Sequence, residues 1–346
     1  MKVRVVYDAS AKAHPNAVSL NDCLYPGPPL QNKLWNVLVR SCTHPVAVVG
    51  DLKKAFLQVR IKESDRDALR FHWKQGEHSE IETLRFTRAL FGLAPSPFLL
   101  GGVIKYHLDT WEAREPHAVA ELRKSLYVDD LISGGVTVEK ARELKQQAIE
   151  IFEDATFTLH KWQSNEPKLE ENPVPPVDKE GTFAKQPLVK PHAGRSSLLG
   201  LGWDKERDEI IISFPEWEPD PTKRGILRKL ASIYDPLGFV SPVTLVGKCL
   251  YRDVCCEKLA WDAELTGTLK LKWQRWEQSL PKQIAITLAL VEHREPIQAI
   301  QLHGFGDASS HGVGAAVYAV VRQESGITQR LTAAKARLAK QGLTIP

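Results

Sequence analysis

The apolar and polar positions divide the chain into short runs of changing period. Val3 to Asp8 is β-rich and gives way to a polar, proline-containing stretch through Pro29, which predicts a strand opening into a long loop. Trp35 to Val39 reads as helix. Pro45-Val-Ala-Val-Val-Gly-Asp51 is a continuous apolar run closed by a carboxylate, the pattern of a buried strand whose last residue emerges at an edge or cleft. Residues 89–104 carry no charge. They fall short of the roughly 18 to 20 residues of a spanning helix and are interrupted by Gly92, Pro95, Pro97, Gly101 and Gly102, so they predict a buried turn and helix.

Between Leu122 and Ser133 apolar residues flank Asp129 and Asp130 on both sides, predicting a hairpin with its turn at the two acids. Val138, Ala141, Leu144, Ala148 and Ile151 then recur at helical spacing. Residues 166–197 hold six prolines with little periodicity and read as an extended connection. A strand pair near 198–214 follows, then a helix from Thr222 to Tyr234 stopped by Asp235-Pro236. Beyond it lie a tryptophan-rich helical stretch around Trp261, Trp273 and Trp276 and a β-like section, 299–332, with a turn around Asp307. There is no internal repeat.

Length and composition narrow the class. At about 150 residues per domain, 346 residues suggest two or three globular units. Hydrophobic residues at 43% and charged residues at 25% exclude collagen, coiled-coil and disordered classes. The net charge of +4, from 46 basic and 42 acidic residues, is too small to argue for nucleic acid. Cys23, Cys42, Cys249, Cys255 and Cys256 show no CxxC spacing, which predicts reduced thiols. The first residues contain no apolar run of the secretory kind.

Asp51 and the pair Asp129/Asp130 sit on separate strand ends and would meet if those strands are neighbours. Two Mg²⁺ ions about 3.5–4 Å apart need such hard oxygen ligands for phosphoryl or nucleotidyl transfer. Taken singly, these residues read otherwise: an Asp pair suits any hairpin turn, Phe56 is an ordinary core phenylalanine and Arg4 a surface arginine.

The surrounding text resembles reverse transcriptases. Tyr127-Val-Asp-Asp130 is similar to their catalytic hairpin, Val48-Val-Gly-Asp51-Leu-Lys-Lys-Ala-Phe56 to their first palm motif, Arg4-Val-Val-Tyr-Asp-Ala-Ser to a fingers strand, and Phe91-Gly-Leu-Ala-Pro-Ser-Pro97 to the turn and helix beneath the incoming nucleotide. Phe157-Thr-Leu-His-Lys-Trp-Gln-Ser-Asn165 and Leu199-Gly-Leu-Gly-Trp203 resemble later palm elements. Thr222-Lys-Arg-Gly-Ile-Leu and Tyr234-Asp-Pro-Leu-Gly-Phe-Val-Ser-Pro242 narrow the resemblance to the BEL/Pao group of long-terminal-repeat retrotransposon polyproteins.

The resemblance implies an RNA-directed DNA polymerase with RNA template, DNA primer and dNTPs as partners. Asp51, Asp129 and Asp130 would hold two Mg²⁺ ions, or Mn²⁺, with the Leu52 carbonyl a further ligand. Phe56 would be a steric gate against the 2′-hydroxyl, Phe91 would pack near the nucleotide sugar, Arg4 would bind the β- and γ-phosphates, and Lys161 would lie near the leaving pyrophosphate. Lys223, Arg224, Arg228 and Lys229 would follow the primer-template backbone. No membrane partner is implied. Self-association or contact with other polyprotein pieces is, as is a cytoplasmic or virus-like-particle location.

The fold expected is α+β: a polymerase palm, ferredoxin-like with an antiparallel sheet and helices. N-terminally truncated fingers and palm span 1–165, the proline-rich connection 166–197, primer grip, thumb and connection 198–298, and a truncated ribonuclease H-like segment 299–346. Asp307 resembles the first carboxylate of a ribonuclease H site. Glu324 is the one acid after it, so ribonuclease H activity is not expected. A catalytically inactive nucleic-acid-binding or interaction remnant of such an element is the alternative.

Overall fold

The computed structural model describes residues 7–76, 78–170 and 195–340. In chain order the first part carries α1 (Leu20–Cys23), α2 (Leu34–Ser41), β1 (Val46–Leu52), α3 (Ala55–Gln58), β2 (Arg70–Trp73), β3 (Glu82–Arg85), α4 (Ser96–Trp111), α5 (Pro116–Ser125), β4 (Leu126–Tyr127), β5 (Asp130–Gly135), α6 (Val138–Asp154) and β6 (Leu159–Ser164). The second carries β7 (Arg195–Leu198), β8 (Leu201–Asp204), β9 (Glu209–Ser213), α7 (Lys223–Ala231), α8 (Ser241–Cys256), α9 (Gly267–Gln278), β10 (Gln283–Thr287), β11 (Ala299–Ala308), β12 (Gly312–Arg322) and β13 (Ile327–Leu338). This is a mixed fold of helices and largely antiparallel sheets. Among the described residues no helix is long and apolar enough to cross a membrane.

The described residues form two compact units. One lies within Met1–Lys33, Gly50–Ile132 and Glu143–Trp162, the other within Leu34–Val49, Ser133–Arg142 and Gln163–Pro346. One sheet has the order β4-β5-β1-β6. In β1 every residue is buried except Asp51, which is what an apolar run ending in a carboxylate implies. In the first unit Leu100, Ile104, Leu108 and Trp111 form the buried stripe of α4, at the spacing of one helical face. Asn32 donates to the carbonyls of Arg123 and Leu126 at 2.7 and 2.8 Å, fixing where α5 gives way to β4. The strands β2 and β3 pair as an antiparallel hairpin, and Phe86, just after β3, packs against a small core of Leu69, Leu90 and Leu93.

The second unit contains two antiparallel sheets, β10-β9-β8-β7 and β11-β12-β13. Trp203 of β8 is fully buried and its indole donates to Asp208 Oδ1 at 3.0 Å. Burial raises the Asp208 carboxyl above its ordinary value of 3.8, outweighing the hydrogen bonds that lower it. The folded state therefore holds this proton more tightly than the unfolded chain, and stability from this group is lost as pH rises from 3.8 through the raised value. Asp208→Asn is expected to flatten that part of the pH profile in thermal unfolding. An unchanged slope would contradict the burial argument.

Several sequence expectations need correction. Leu122 to Ser125 belongs to α5, so the first arm of the hairpin is only Leu126–Tyr127, and its turn is Val128-Asp129 because Tyr127 pairs with Asp130. The helix after Thr222 ends at Ala231. Trp261 lies in a turn ahead of α9, which holds Trp273 and Trp276. The strand pair near 198–214 is three strands joined by β10, and the last β section extends to Leu338. Of the strand expected at Val3 to Asp8, only Tyr7 and Asp8 are described, and neither is in a strand.

Candidate active site

The geometry around Asp51 begins with two backbone hydrogen bonds at the end of β1. The Leu52 amide donates to the Asp129 carbonyl and the Lys53 amide to the Thr158 carbonyl, both at 2.8 Å. The first joins β1 to the Val128-Asp129 turn. The second brings in the residues just before β6. Asp51 is thus flanked by the acidic turn on one side and by His160 and Lys161 on the other.

Two residues there adopt left-handed backbone. Val128 has φ 58° and Lys161 has φ 55°. For a β-branched valine this is a true outlier, costing of order 1–3 kcal/mol, and such strain clusters at functional sites. It turns the chain between Tyr127 and Asp130 in two residues, and Asp129 is buried with 9% exposure. At Lys161 the same conformation breaks strand alternation, which would otherwise send neighbouring side chains to opposite faces. Lys161 Nζ lies 3.2 Å and His160 Nε2 3.5 Å from the same oxygen, Asp51 Oδ2. Sequence reasoning missed His160, since plain alternation would point it away from Asp51 wherever Lys161 points toward it.

Phe56 is buried in α3 and meets Phe91 edge-to-face with ring centroids 4.7 Å apart, while Phe91 is 42% exposed. The two positions named for the nucleotide sugar are therefore in contact. Leu52 is buried. Arg4 lies outside the described residues. A cleft of about 520 Å³ opens beside the turn, lined in part by Val128, Leu126, Asn32, Pro97, Ile104 and Arg123.

The carboxylates do not, as they stand, form a cage for the expected magnesium pair. Among the described residues no group of three or more His, Cys, Asp or Glu side chains is placed to hold a metal ion, and Asp51 Oδ2 is engaged by Lys161 and His160.

The basic helix α7 is capped by Thr222, whose hydroxyl accepts from the Gly225 amide at 3.0 Å. Lys223 and Arg224 lie over the Trp261 ring, at 4.7 and 5.7 Å, and Arg228 over the Trp217 ring at 4.8 Å. Arg224 also makes a bidentate pair with Asp262 at 2.6 and 3.0 Å, which holds the Asp262 carboxyl below the usual carboxylate range.

Lys229 departs from the expected phosphate-facing set. It is 3% exposed, donates to the Pro215 and Trp217 carbonyls at 2.7 Å each, and pairs with Glu277 at 3.1 Å. The reason is helical register: Lys229 shares the buried face with Gly225 and Ile226, four and three residues earlier. Lys229→Ala is expected to cost about 3 kcal/mol in urea unfolding, because Glu277 and two carbonyls lose their buried cation. Arg228→Ala should stay within about 0.5 kcal/mol, as exposed substitutions do. Equal losses from the two would contradict this division.

Asp307 and Glu324 are separated by strand length. Asp307 pairs with Gly314 near the start of β12, and Glu324 follows the Arg322–Ile327 pair at its far end. Eight residues of strand put these ends roughly 26 Å apart, too far to share a metal.

Comparison with known proteins gives three results. No curated protein matches the chain. A foamy viral protease-reverse transcriptase, solved in complex with an RNA/DNA hybrid, is similar at 14% identity and a TM-score of 0.49, covering 90% of this chain and 35% of that one. The chain thus spans about a third of that protein's length. Residues 222–346 match the family described as Pao retrotransposon-like RNaseH-like domain. That match begins at the cap of α7 and so takes in residues 222–298 of the segment 198–298, read from sequence as primer grip, thumb and connection.

Proposed function

We propose that this chain is the polymerase region of a BEL/Pao-type retrotransposon polyprotein, an RNA-directed DNA polymerase that extends a DNA primer on an RNA template. The observation that carries the reading is the Leu52–Asp129 hydrogen bond, which joins the carboxylate end of β1 to the acidic turn. In the reaction the primer 3′-hydroxyl attacks the α-phosphate of a dNTP and pyrophosphate leaves. Asp51, Asp129 and Asp130 are the acidic centre, and Mg²⁺ belongs to the proposal as its cofactor. Phe56, fixed against Phe91, excludes the 2′-hydroxyl by occupying its space. Lys223, Arg224 and Arg228 supply sequence-independent contacts to phosphates, and the match of residues 222–346 to a retroelement domain supports the polyprotein setting.

Template-directed dNTP incorporation tests the reading. Incorporation by the chain that disappears in Asp129→Asn is expected. Salt-dependent duplex binding with no incorporation, in a folded sample, would replace it with the inactive-remnant reading.

A further inference from the structure

The acidic turn is held from both sides. After it, the Asp129 carbonyl receives the Leu52 amide of β1 at 2.8 Å. Before it, Asn32 directs both N–H groups of its amide to main-chain carbonyls, Arg123 at 2.7 Å and Leu126 at 2.8 Å. Arg123 lies in the last turn of α5, where the final carbonyls have no intrahelical partner. In a continued helix the Arg123 carbonyl would take the amide of Tyr127, four residues on. The helix instead closes with the Leu126 amide on the Leu122 carbonyl, and Tyr127 pairs with Asp130 across β4 and β5. Asn32 satisfies the carbonyls at the point where the chain leaves the helix.

Asn32 stands on a fixed base. Leu30, two residues earlier, packs so closely over α4 that a Cβ at Gly101 would lie 3.2 Å from the Leu30 Cβ. The Arg123 side chain reaches the end of the same helix, with a bidentate pair to Glu112 at 3.0 and 3.1 Å and a further bond to Asp109. A valine at φ 58° persists only where its surroundings over-determine it. These contacts supply that constraint on the side of the turn that the Leu52 amide does not reach.

We propose that Asn32 is a positioning residue for the acidic centre: its two hydrogen bonds hold the strained Val128-Asp129 turn against β1 in the conformation that nucleotidyl transfer uses. The role rests on the polymerase reading of that turn. The amide suits it because one nitrogen carries two donors, whereas aspartate keeps the shape without a donor, serine offers one and alanine none. Without Asn32 the Arg123 and Leu126 carbonyls turn to water, the junction of α5 and β4 loosens, and the Asp129 carboxylate leaves its working position. A displacement of about 1 Å caused away from the chemistry is enough to slow a reaction by up to about a hundredfold.

The test pairs amide hydrogen exchange with steady-state primer extension on the full chain. Asn32→Ala and Asn32→Asp are expected to speed exchange across residues 123–133 at least about tenfold, and to lower kcat at least about tenfold with the dNTP KM and duplex binding within about twofold. Asn32→Ser, which keeps one donor, should fall between them and wild type, and it carries the comparison if the alanine variant loses the wild-type circular dichroism. Trp111→Phe removes the indole bond to Asp154 and serves as the control, lowering thermal stability while leaving exchange at 123–133 and kcat as in wild type. Exchange at 123–133 that is unchanged in Asn32→Ala would overturn the positioning role and leave the polymerase reading standing. Faster exchange with an unchanged kcat would do the same. A folded, duplex-bound wild type without incorporation would overturn the polymerase reading and the role with it.

Discussion

Gly238→Ala is expected to destabilise the chain by about 3 kcal/mol or more in urea unfolding, two penalties acting at one position. Gly238 has φ 78°, and a Cβ there would lie 1.8 Å from the Ala334 carbonyl oxygen and 2.6 Å from its carbon. Neither neighbour can yield, because Ala334 of β13 donates its amide to the Leu237 carbonyl at 2.8 Å. The loop is anchored from its other side too. Asp235 accepts from the amides of Gly238, Phe239 and Val240 at 2.8, 3.0 and 2.8 Å, satisfying donors ahead of α8 that would otherwise be orphaned. Gly267→Ala supplies the comparison: its φ is 56° but nothing lies within 4 Å of the added carbon, so only backbone strain remains, about 1 kcal/mol. Equal costs at the two glycines would show that close approach to β13 is not what fixes Gly238. The segment from Tyr234 to Pro242, which from sequence reads as a family signature, is thus a structural clasp between the α8 approach and the sheet's last strand.

Asp129→Asn is the second large effect, and it falls on chemistry rather than stability. The substitution keeps size and shape at a buried turn residue, and the backbone carbonyl that receives the Leu52 amide is unchanged. Folding should therefore survive with little loss. On the proposed polymerase reading, removing one charge from the acidic centre is expected to lower incorporation at least about a hundredfold. Val128→Gly probes the same turn from the other direction. Relief of the left-handed valine should offset the added backbone freedom of glycine.

How much of this is legible in the sequence depends on whether a residue's role follows from local pattern. The buried strand ending at Asp51 and the helix over Val138–Asp154 are readable, since an unbroken apolar run and a 3.6-residue period each have one straightforward structural solution. The burial of Lys229 is readable in principle: its spacing from Gly225 and Ile226 marks the inner face of α7, but a reading by charge alone hides it. The acidic turn falls one residue earlier than the pattern suggests because nothing local predicts a valine at positive φ. His160 is beyond the reach of pattern, as its approach to Asp51 depends on the backbone of Lys161 and on the tertiary pairing of β6 with β1.

The most direct test of the polymerase reading is primer extension on a primed RNA template with dNTPs and Mg²⁺, run with the wild-type chain beside Asp129→Asn, both shown to be folded and to bind the duplex. Extension by the wild type is expected, with at least about a hundredfold less from the variant. Equal extension by the two, or none from a folded, duplex-bound wild type, would contradict that reading.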